Sequence, residues 1–131
     1  MKIHLYHIQL NVSSQSLAFY RDLFTYLDYK IIDESAEHIG VSNGTTDFWL
    51  IQTEEKHLAD GFHRKNTGIN HLAFGVESKE AVDQFANDFL QTRNVPTLYG
   101  SPKPFPEYSP SYYAVYFEDP DRLKLEVVFK S

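Results

Sequence analysis

The chain has 131 residues, of which 42% are hydrophobic and 15% aromatic, and this composition is typical of one globular domain spanning residues 1–131. The formal net charge is −6 and the sequence shows no basic cluster, so nucleic acid is not an expected partner. Cysteine is absent, which excludes disulfides, zinc–cysteine centres and thiol catalysis.

The hydropathy pattern gives no reason to expect a membrane partner. No apolar run approaches the length of a membrane span. The chain enters an alternating strand pattern close to Met1, without the apolar stretch of a signal peptide. We therefore expect a cytoplasmic protein.

A first module is predicted at about residues 1–53, in the order strand, helix and three strands. Residues 3–12 alternate as a strand does, with Tyr6, Ile8, Leu10 and Val12 on one face and Leu5, His7, Gln9 and Asn11 on the other. The first face is expected to lie under a helix, and the second to face a cavity. Ser13 or Ser14 is expected to cap that helix, whose apolar residues recur at close to 3.6-residue spacing. Three strands are predicted at residues 29–33, 38–42 and 48–53.

A polar linker at residues 54–68 leads to a second module at about residues 69–131, where the same order recurs. A strand is predicted at 69–76, and Ser78 is expected to cap a helix that runs to about residue 93. A weak strand at 95–100 precedes an irregular loop at 101–111, which contains four of the six prolines. Two strands, at 112–118 and 123–130, flank a turn at 119–122.

Two histidines occupy matching positions in these modules. The segment His7-Ile8-Gln9-Leu10-Asn11-Val12-Ser13-Ser14 corresponds to His71-Leu72-Ala73-Phe74-Gly75-Val76-Glu77-Ser78, 64 residues later. Such self-similarity indicates two copies of one strand-and-helix unit around a shared interior. In the last strand, Glu126 lies on the face opposite the apolar residues Leu125 and Val127, as the histidines do in theirs.

Two imidazoles and one carboxylate can hold a metal ion while leaving positions open for a substrate. We therefore predict that His7, His71 and Glu126 are the ligands of a divalent metal ion. Taken singly, each residue has a simpler explanation. An inward histidine is more often a hydrogen-bonded core residue, and a glutamate on a terminal strand is usually solvated.

The sequence also resembles the vicinal oxygen chelate superfamily, which includes glyoxalase I, extradiol dioxygenases, and the fosfomycin- and bleomycin-resistance proteins. The resemblance lies in His7-Ile8-Gln9-Leu10-Asn11-Val12, in the helix Ser16-Leu17-Ala18-Phe19-Tyr20-Arg21-Asp22-Leu23 and in Asn70-His71-Leu72-Ala73-Phe74. It continues in Tyr116-Phe117-Glu118-Asp119-Pro120-Asp121-Arg122-Leu123-Lys124-Leu125-Glu126, which is close to the family's strand, Asp-Pro-Asp-Gly turn and strand ending in Leu-Glu. Arg122 stands where the family signature has glycine. It indicates either a changed turn or a contact with a substrate anion.

The resemblance implies an α+β fold in which two βαβββ modules form a curved mixed sheet around a cavity, a single glyoxalase/dioxygenase-like domain. It implies ligands at His7, His71 and Glu126, and a fourth ligand position within residues 48–52. Glyoxalase I-like enzymes carry glutamate at that fourth position. Here the alignment places Leu50 there, and Gln52 is the only side chain of the strand able to act as a ligand.

A set of two histidines and one glutamate resembles the facial triad of extradiol dioxygenases. In those enzymes a tyrosine assists the substrate, so Tyr116 joins Glu126 as a candidate catalytic residue. Tyr116 is alternatively explained by a Tyr-Phe pair that is frequent in the superfamily. The predicted substrate pocket contains Trp49, Gln52, Tyr112 and Tyr116.

These features predict a metal-dependent lyase or dioxygenase that acts on a small molecule through iron, manganese, nickel or zinc. The alternative function is metal-free sequestration of an antibiotic, as in bleomycin-resistance proteins, and an acidic chain suits a cationic drug. The superfamily pairs its modules either within one chain or between two chains, and both arrangements stay open here. A homodimer is the expected assembly.

Overall fold

The computed structural model describes all 131 residues and divides the chain into two compact units, Met1–Gly61 and Phe62–Ser131. The boundary lies inside the predicted linker. Each unit follows the predicted order of strand, helix and three strands, and contains one four-stranded mixed sheet. The α+β fold with two βαβββ modules is therefore confirmed.

The first unit consists of β1 (His7–Val12), α1 (Ser14–Tyr26), β2 (Lys30–Glu34), β3 (His38–Ser42) and β4 (Asp47–Gln52). The strand order is β1-β4-β3-β2, in which β1 and β4 are parallel and the other pairs antiparallel. A 3-10 helix, Glu55–Asp60, follows β4 in the linker.

Helix α1 covers the face of this sheet that the alternation of β1 predicts. Leu10 and Val12 of β1 are buried, as is Leu50 of β4. Phe24 of α1 packs on Phe48 of β4 with ring centroids 4.8 Å apart. The opposite face keeps the polar residues of β1, so His7 lies on the uncovered side of the sheet.

The second unit consists of β5 (His71–Gly75), α2 (Lys79–Phe85), β6 (Thr97–Pro104), β7 (Tyr113–Glu118) and β8 (Lys124–Phe129). The strand order is β5-β8-β7-β6, with β5 and β8 parallel. This arrangement matches the first unit strand for strand. The Ser78 hydroxyl accepts a hydrogen bond from the Ala81 amide, which confirms the predicted helix cap.

The predicted single helix up to residue 93 is in fact three segments. After α2 the chain forms a π-helical turn, Ala86–Leu90, and then a 3-10 turn, Gln91–Arg93. The Thr92 hydroxyl donates to the carbonyls of Asp88 and Phe89, at 2.8 and 3.1 Å, so a side chain satisfies backbone oxygens where the helical geometry changes.

Strand β1 is shorter than predicted and begins at His7. The reason is its partner, because the parallel ladder starts where His7 meets Asp47, the first residue of β4. Residues 1–6 lie outside the ladder and are exposed. Tyr6, which was expected on the helix-covered face, is 63% exposed.

Strand β6 is longer than predicted, because it runs into the proline-rich segment and ends at Pro104. Its pairing with β7 shifts between Leu98 and Lys103, which indicates a bulge. Since β6 is at the edge of the sheet, a proline without an amide proton costs no hydrogen bond on the open side. No helix of either unit is both long and apolar enough to cross a membrane.

Candidate functional site

The second unit brings together two of the predicted metal ligands. The register pairs His71 with Lys124 and Ala73 with Glu126, so these side chains lie on one face of the sheet. The His71 Nε2 atom is 3.3 Å from the Glu126 Oε2 atom. Ala73 has only a methyl group, which leaves the space between the two side chains open.

The orientation of the His71 ring is set by Asn70. The Asn70 amide nitrogen donates to the Arg64 carbonyl at 3.1 Å, so the amide oxygen faces His71. That oxygen is 2.8 Å from His71 Nδ1, which must therefore be the donor. In the neutral ring the lone pair is then on Nε2 and points towards Glu126. Such an outer hydrogen bond is usual for a histidine that ligates a metal.

Glu126 is almost entirely buried, at 1% exposure, and is also fixed by a partner. The Tyr112 hydroxyl donates to Glu126 Oε1 at 2.5 Å, which leaves Oε2 for the side of His71. Burial, followed by the hydrogen bond to Glu126 and its negative charge, raises the pKa of Tyr112 to about 12. Burial and the Glu126 charge also raise the pKa of Tyr116, so both phenols keep their protons near neutral pH.

A cavity of about 450 Å³ opens beside this pair. It is lined by His71, Tyr99, Phe105, Glu107, Tyr108, Tyr112, Tyr116 and Lys124. The Lys124 ammonium lies 5.4 Å from the ring centroid of Tyr99 and 5.6 Å from that of Tyr116. The cavity therefore offers aromatic walls with four phenol hydroxyls, one cationic group and one carboxylate to a small molecule.

The spacing of His71 and Glu126 fits a shared metal ion. Adjacent donors around an ion with bonds of about 2.1 Å lie about 3.0–3.4 Å apart, which includes the observed separation. The donor types, an imidazole nitrogen and a carboxylate oxygen, suit the transition metals expected from the sequence. His71 and Glu126, each with an outer hydrogen bond, therefore fit two of the three ligand positions predicted from the sequence.

The third predicted ligand, His7, begins β1 in the first unit, and its ring packs edge-on against Tyr6. No group of three or more histidine, cysteine, aspartate or glutamate side chains is placed to hold a metal ion in this structure. The participation of His7 stays a prediction. The same holds for Trp49 and Gln52 as pocket residues, since both are in β4 of the first unit and do not line the aromatic cavity.

The register corrects the assignment of the fourth ligand position. Ala73 pairs with Glu126 in the second unit, and its counterpart Gln9 pairs with Trp49 in the first. The position equivalent to Glu126 is therefore Trp49 and not Leu50, which is fully buried under α1. By alternation Gln52 shares the side of Leu50, so neither residue lies on the sheet face of His7.

The neighbour of Trp49 explains how the first unit accommodates this ring. Gly40 pairs with Trp49 as Tyr116 pairs with Glu126. A Cβ atom on Gly40 would lie 2.5 Å from Trp49 Cζ3, so only glycine leaves room for the indole. A Gly–Trp pair thus replaces the Tyr–Glu pair of the second unit, and no ligand side chain is present there.

Sequence reasoning missed Glu107 of the cavity lining and three further residues of the site. Asn70 directly precedes His71, and an amide beside a candidate ligand is a signal that could have identified it. Lys124 shares the strand face of Glu126 by simple alternation. Tyr99 gave no such signal, because its ring reaches the cavity from the edge strand β6, where the pairing register shifts.

Comparison with known proteins relates this chain to bacterial proteins over nearly its whole length, although no protein-family model matches it. YqjT of Bacillus subtilis (strain 168), described as uncharacterized, is 35% identical over 129 residues, 97% of this chain and 99% of that protein. A crystal structure of a candidate glyoxalase from Bacillus halodurans has a TM-score of 0.87 at 38% identity, covering 96% of this chain and 95% of that one. A glyoxylase/bleomycin resistance protein/dioxygenase domain from Frankia sp. EAN1pec has a TM-score of 0.67 at 18% identity, over 100% of this chain and 93% of that one, and this likeness shows the fold alone.

Proposed function

The chain belongs to the vicinal oxygen chelate superfamily, and from this premise we propose that it is a metal-dependent enzyme acting on a small oxygenated molecule. The observation that supports the proposal is the pair His71 and Glu126, whose Nε2 and Oε2 atoms face each other at 3.3 Å. In the neutral tautomer set by Asn70, neither atom carries a proton. Two lone-pair donors at this distance repel each other unless a cation or a proton lies between them.

His71, Glu126 and His7 are the proposed ligands of one divalent ion, which is iron, manganese, nickel or zinc. The bound ion would act as a Lewis acid towards two adjacent oxygens of the substrate. Asn70 holds the imidazole in the ligating tautomer, and Tyr112 holds the carboxylate. These two hydrogen bonds fix both donors before the ion arrives, which lowers the entropy cost of binding.

The remaining side chains of the cavity are proposed to bind and orient the substrate. Tyr116 is the proposed catalytic residue, because its ring centroid lies 6.2 Å from that of His71 at the cavity. Its raised pKa makes the phenol a hydrogen-bond donor that keeps its own proton. The Lys124 ammonium lies over two tyrosine rings at the cavity and would attract an anionic group of the substrate. Phe105, whose ring packs 5.2 Å from that of Tyr116, would exclude water from one side.

Metal content tests the proposal directly. We expect protein purified without chelator to contain one divalent ion per chain by elemental analysis. Glu126→Gln is expected to lower metal affinity at least tenfold, and His71→Ala or His7→Ala to abolish stoichiometric binding. His57→Ala is a matched control, because His57 is exposed in the linker helix, and it should keep the wild-type metal content. An unchanged metal content in Glu126→Gln would contradict the site.

Metal-free binding is the second candidate function, and the aromatic cavity favours it independently of any ion. Glu107 lines the cavity among tyrosine and phenylalanine rings, a combination that attracts an organic cation. Calorimetric titration of chelator-treated protein with a cationic aromatic drug tests this alternative. Micromolar binding that survives His71→Ala would favour sequestration over metal-dependent catalysis.

A further inference from the structure

A second pocket of the second unit has the chemistry of an anion site. Its volume is about 210 Å³, and it is lined by Phe62, His63, Arg64, Lys65 and Arg122. It shares no lining residue with the aromatic cavity. Three of the twelve lysine and arginine residues are thus gathered in one small pocket, in a chain whose net charge is −6. This local positive charge is opposite in sign to the net charge of the chain.

One carboxylate partly balances these cations. The Glu118 Oε2 atom accepts from Arg64 Nη1 at 2.5 Å and from Arg122 Nε at 3.3 Å. Lys65 has no ion-pair partner. The lining therefore contains three cationic side chains and no carboxylate, and Glu118 pairs with two of the three. This excess of cationic groups suits an anion.

The two arginines differ in how they are held. The Arg64 side chain is only 19% exposed, and its Nη1 atom also donates to the Arg122 carbonyl at 3.2 Å, which ties the two chain segments together. The Arg122 side chain is 78% exposed and uses only Nε, so both of its terminal amino groups are available. One arginine therefore builds the pocket, and the other presents donors to it.

The backbone at Arg122 supports a role for its side chain. Its φ is +70°, in the left-handed region that glycine adopts without strain and other residues rarely adopt. The turn is held by Asp119, whose carbonyl accepts from the Arg122 amide at 2.9 Å. Glycine would fit this turn better than arginine, so what arginine adds is its guanidinium.

We propose that this pocket binds a small tetrahedral oxyanion, either free phosphate or the phosphoryl end of a small molecule. Guanidinium groups bind phosphoryl oxygens through paired charge-assisted hydrogen bonds, and the pocket supplies one guanidinium with free donors beside a second cation at Lys65. The volume suits an anion of this size and is below that of pockets for drug-sized ligands. This site does not depend on the metal proposed above.

The pocket is also connected to the metal ligands by hydrogen bonds. The Arg64 carbonyl accepts from Asn70, whose amide oxygen in turn accepts from His71. An anion that fixes Arg64 would therefore also restrain the residue that orients His71. The link is a chain of two hydrogen bonds within the same unit.

Isothermal titration with sodium phosphate tests the proposal, at ionic strength held constant with chloride. Parallel titrations use methyl phosphate, to represent a phosphoryl ester, and acetate, to represent a singly charged anion. Arg122→Gly is the informative variant, because glycine adopts the observed φ and the turn should fold. Lys130→Gln is the matched control, because it removes one positive charge from an exposed position of the same unit.

We expect phosphate to bind the wild type, with acetate at least tenfold weaker, and Arg122→Gly to weaken phosphate about tenfold, the order of one charge-assisted hydrogen bond. Lys130→Gln should change phosphate binding by less than about twofold. Methyl phosphate that binds as well as phosphate identifies a phosphoryl ester, whereas its exclusion identifies the free ion. The proposal is overturned if phosphate binds no better than acetate, or if Arg122→Gly and Lys130→Gln have equal effects.

Discussion

At the scale of single residues, the site depends on two side chains whose orientation and free lone pairs are set by hydrogen bonds to neighbouring residues. The Asn70 amide oxygen accepts a hydrogen bond from His71 Nδ1, and the Tyr112 hydroxyl donates a hydrogen bond to Glu126 Oε1. Each contact leaves one lone pair free, on Nε2 and on Oε2, and these two atoms face each other. The chemistry of the pair therefore follows from two residues that would not themselves contact a metal ion.

Replacing Asn70 tests this positioning role. We expect Asn70→Ala to raise the dissociation constant for the divalent ion roughly tenfold, because the imidazole loses the acceptor that fixes its tautomer. Metal titration of chelator-treated protein measures the change. Asn87→Ala is the control, since Asn87 is an exposed amide of the same unit. Equal metal affinity in Asn70→Ala and the wild type would show that the hydrogen bond does not position the ring.

The raised pKa of Tyr112 predicts a loss of stability at alkaline pH. Its pKa is about 12 in the folded protein against 10.0 in the unfolded chain. Below pH 10 both states keep the proton, and the contribution to stability is fully present. Between about pH 10 and 12 the unfolded state binds fewer protons, so the free energy of unfolding falls as pH rises. Tyr113, whose hydrogen bond to Asp83 raises its pKa to about 12, adds to the same fall.

Denaturant unfolding at a series of alkaline pH values measures this effect. We expect Tyr112→Phe to show a smaller fall in unfolding free energy across that window than the wild type, because one of the groups with a raised pKa is gone. Tyr6→Phe, at a phenol 63% exposed, is expected to follow the wild-type curve. A Tyr112→Phe curve parallel to the wild type would contradict the assignment.

At the scale of elements, the two sheets have the same strand register but differ in the side chains at corresponding positions. Strands β7 and β8 pair Tyr116 with Glu126, whereas β3 and β4 pair Gly40 with Trp49. The first combination gives a phenol beside a carboxylate. The second places the Trp49 indole against the backbone of Gly40, and neither residue has a side chain that can ligate a metal ion. The two copies of one fold unit therefore place different side chains at equivalent positions.

The close approach of Trp49 to Gly40 can be tested by adding one methyl group. We expect Gly40→Ala to lower the free energy of unfolding by about 1–3 kcal/mol, because the new Cβ would lie 2.5 Å from the indole and the ring must move. Gly75→Ala is the matched control in β5, where an added Cβ meets no atom within 4 Å, and its effect should stay within about 0.5 kcal/mol. Equal unfolding free energies for the two variants in chemical denaturation would rule out the clash.

At the scale of the whole molecule, a metal ion that binds only the folded state must stabilise it. At a free concentration a hundredfold above the dissociation constant, the gain is about 2.7 kcal/mol. We expect chelator to lower the unfolding temperature of the wild-type protein and to lower that of Glu126→Gln by clearly less, because the variant binds the ion more weakly. Differential scanning calorimetry measures both. Identical shifts on chelation in the two proteins would place any bound ion elsewhere.

A homodimer remains our proposal for the assembly, and sedimentation velocity tests it. A single species with the mass of two 15.2-kDa chains is expected, and a monomer at all concentrations would contradict it. Metal content measured on the same sample would connect the two proposals. If His7 of one chain and His71 of another share an ion, the dimer and the metal should be lost together on chelation.

Local patterns were enough to predict most of the fold. The alternation of β1 identified the face that α1 covers, and Ser78 marked the start of α2 correctly. Both features depend on residues that are close in sequence, so residue types and their spacing are enough to predict them. The errors arose at strand ends, whose positions depend on pairing with segments distant in sequence. Pro104 belongs to β6 because it lies at a sheet edge, and β1 starts at His7 because β4 starts at Asp47.

By itself the sequence determined the superfamily, the two modules and the placement of His71 and Glu126 on matching strand faces, because a two-residue period and a repeat are properties of the chain alone. Only the tertiary structure decided that Trp49 occupies the place of the fourth ligand, since strand register is set by contacts between distant segments. It also decided that Arg64 and Arg122 meet around one carboxylate, although nearly half the chain separates them. Chemistry that requires residues remote in sequence becomes visible only when the fold brings them within hydrogen-bonding distance.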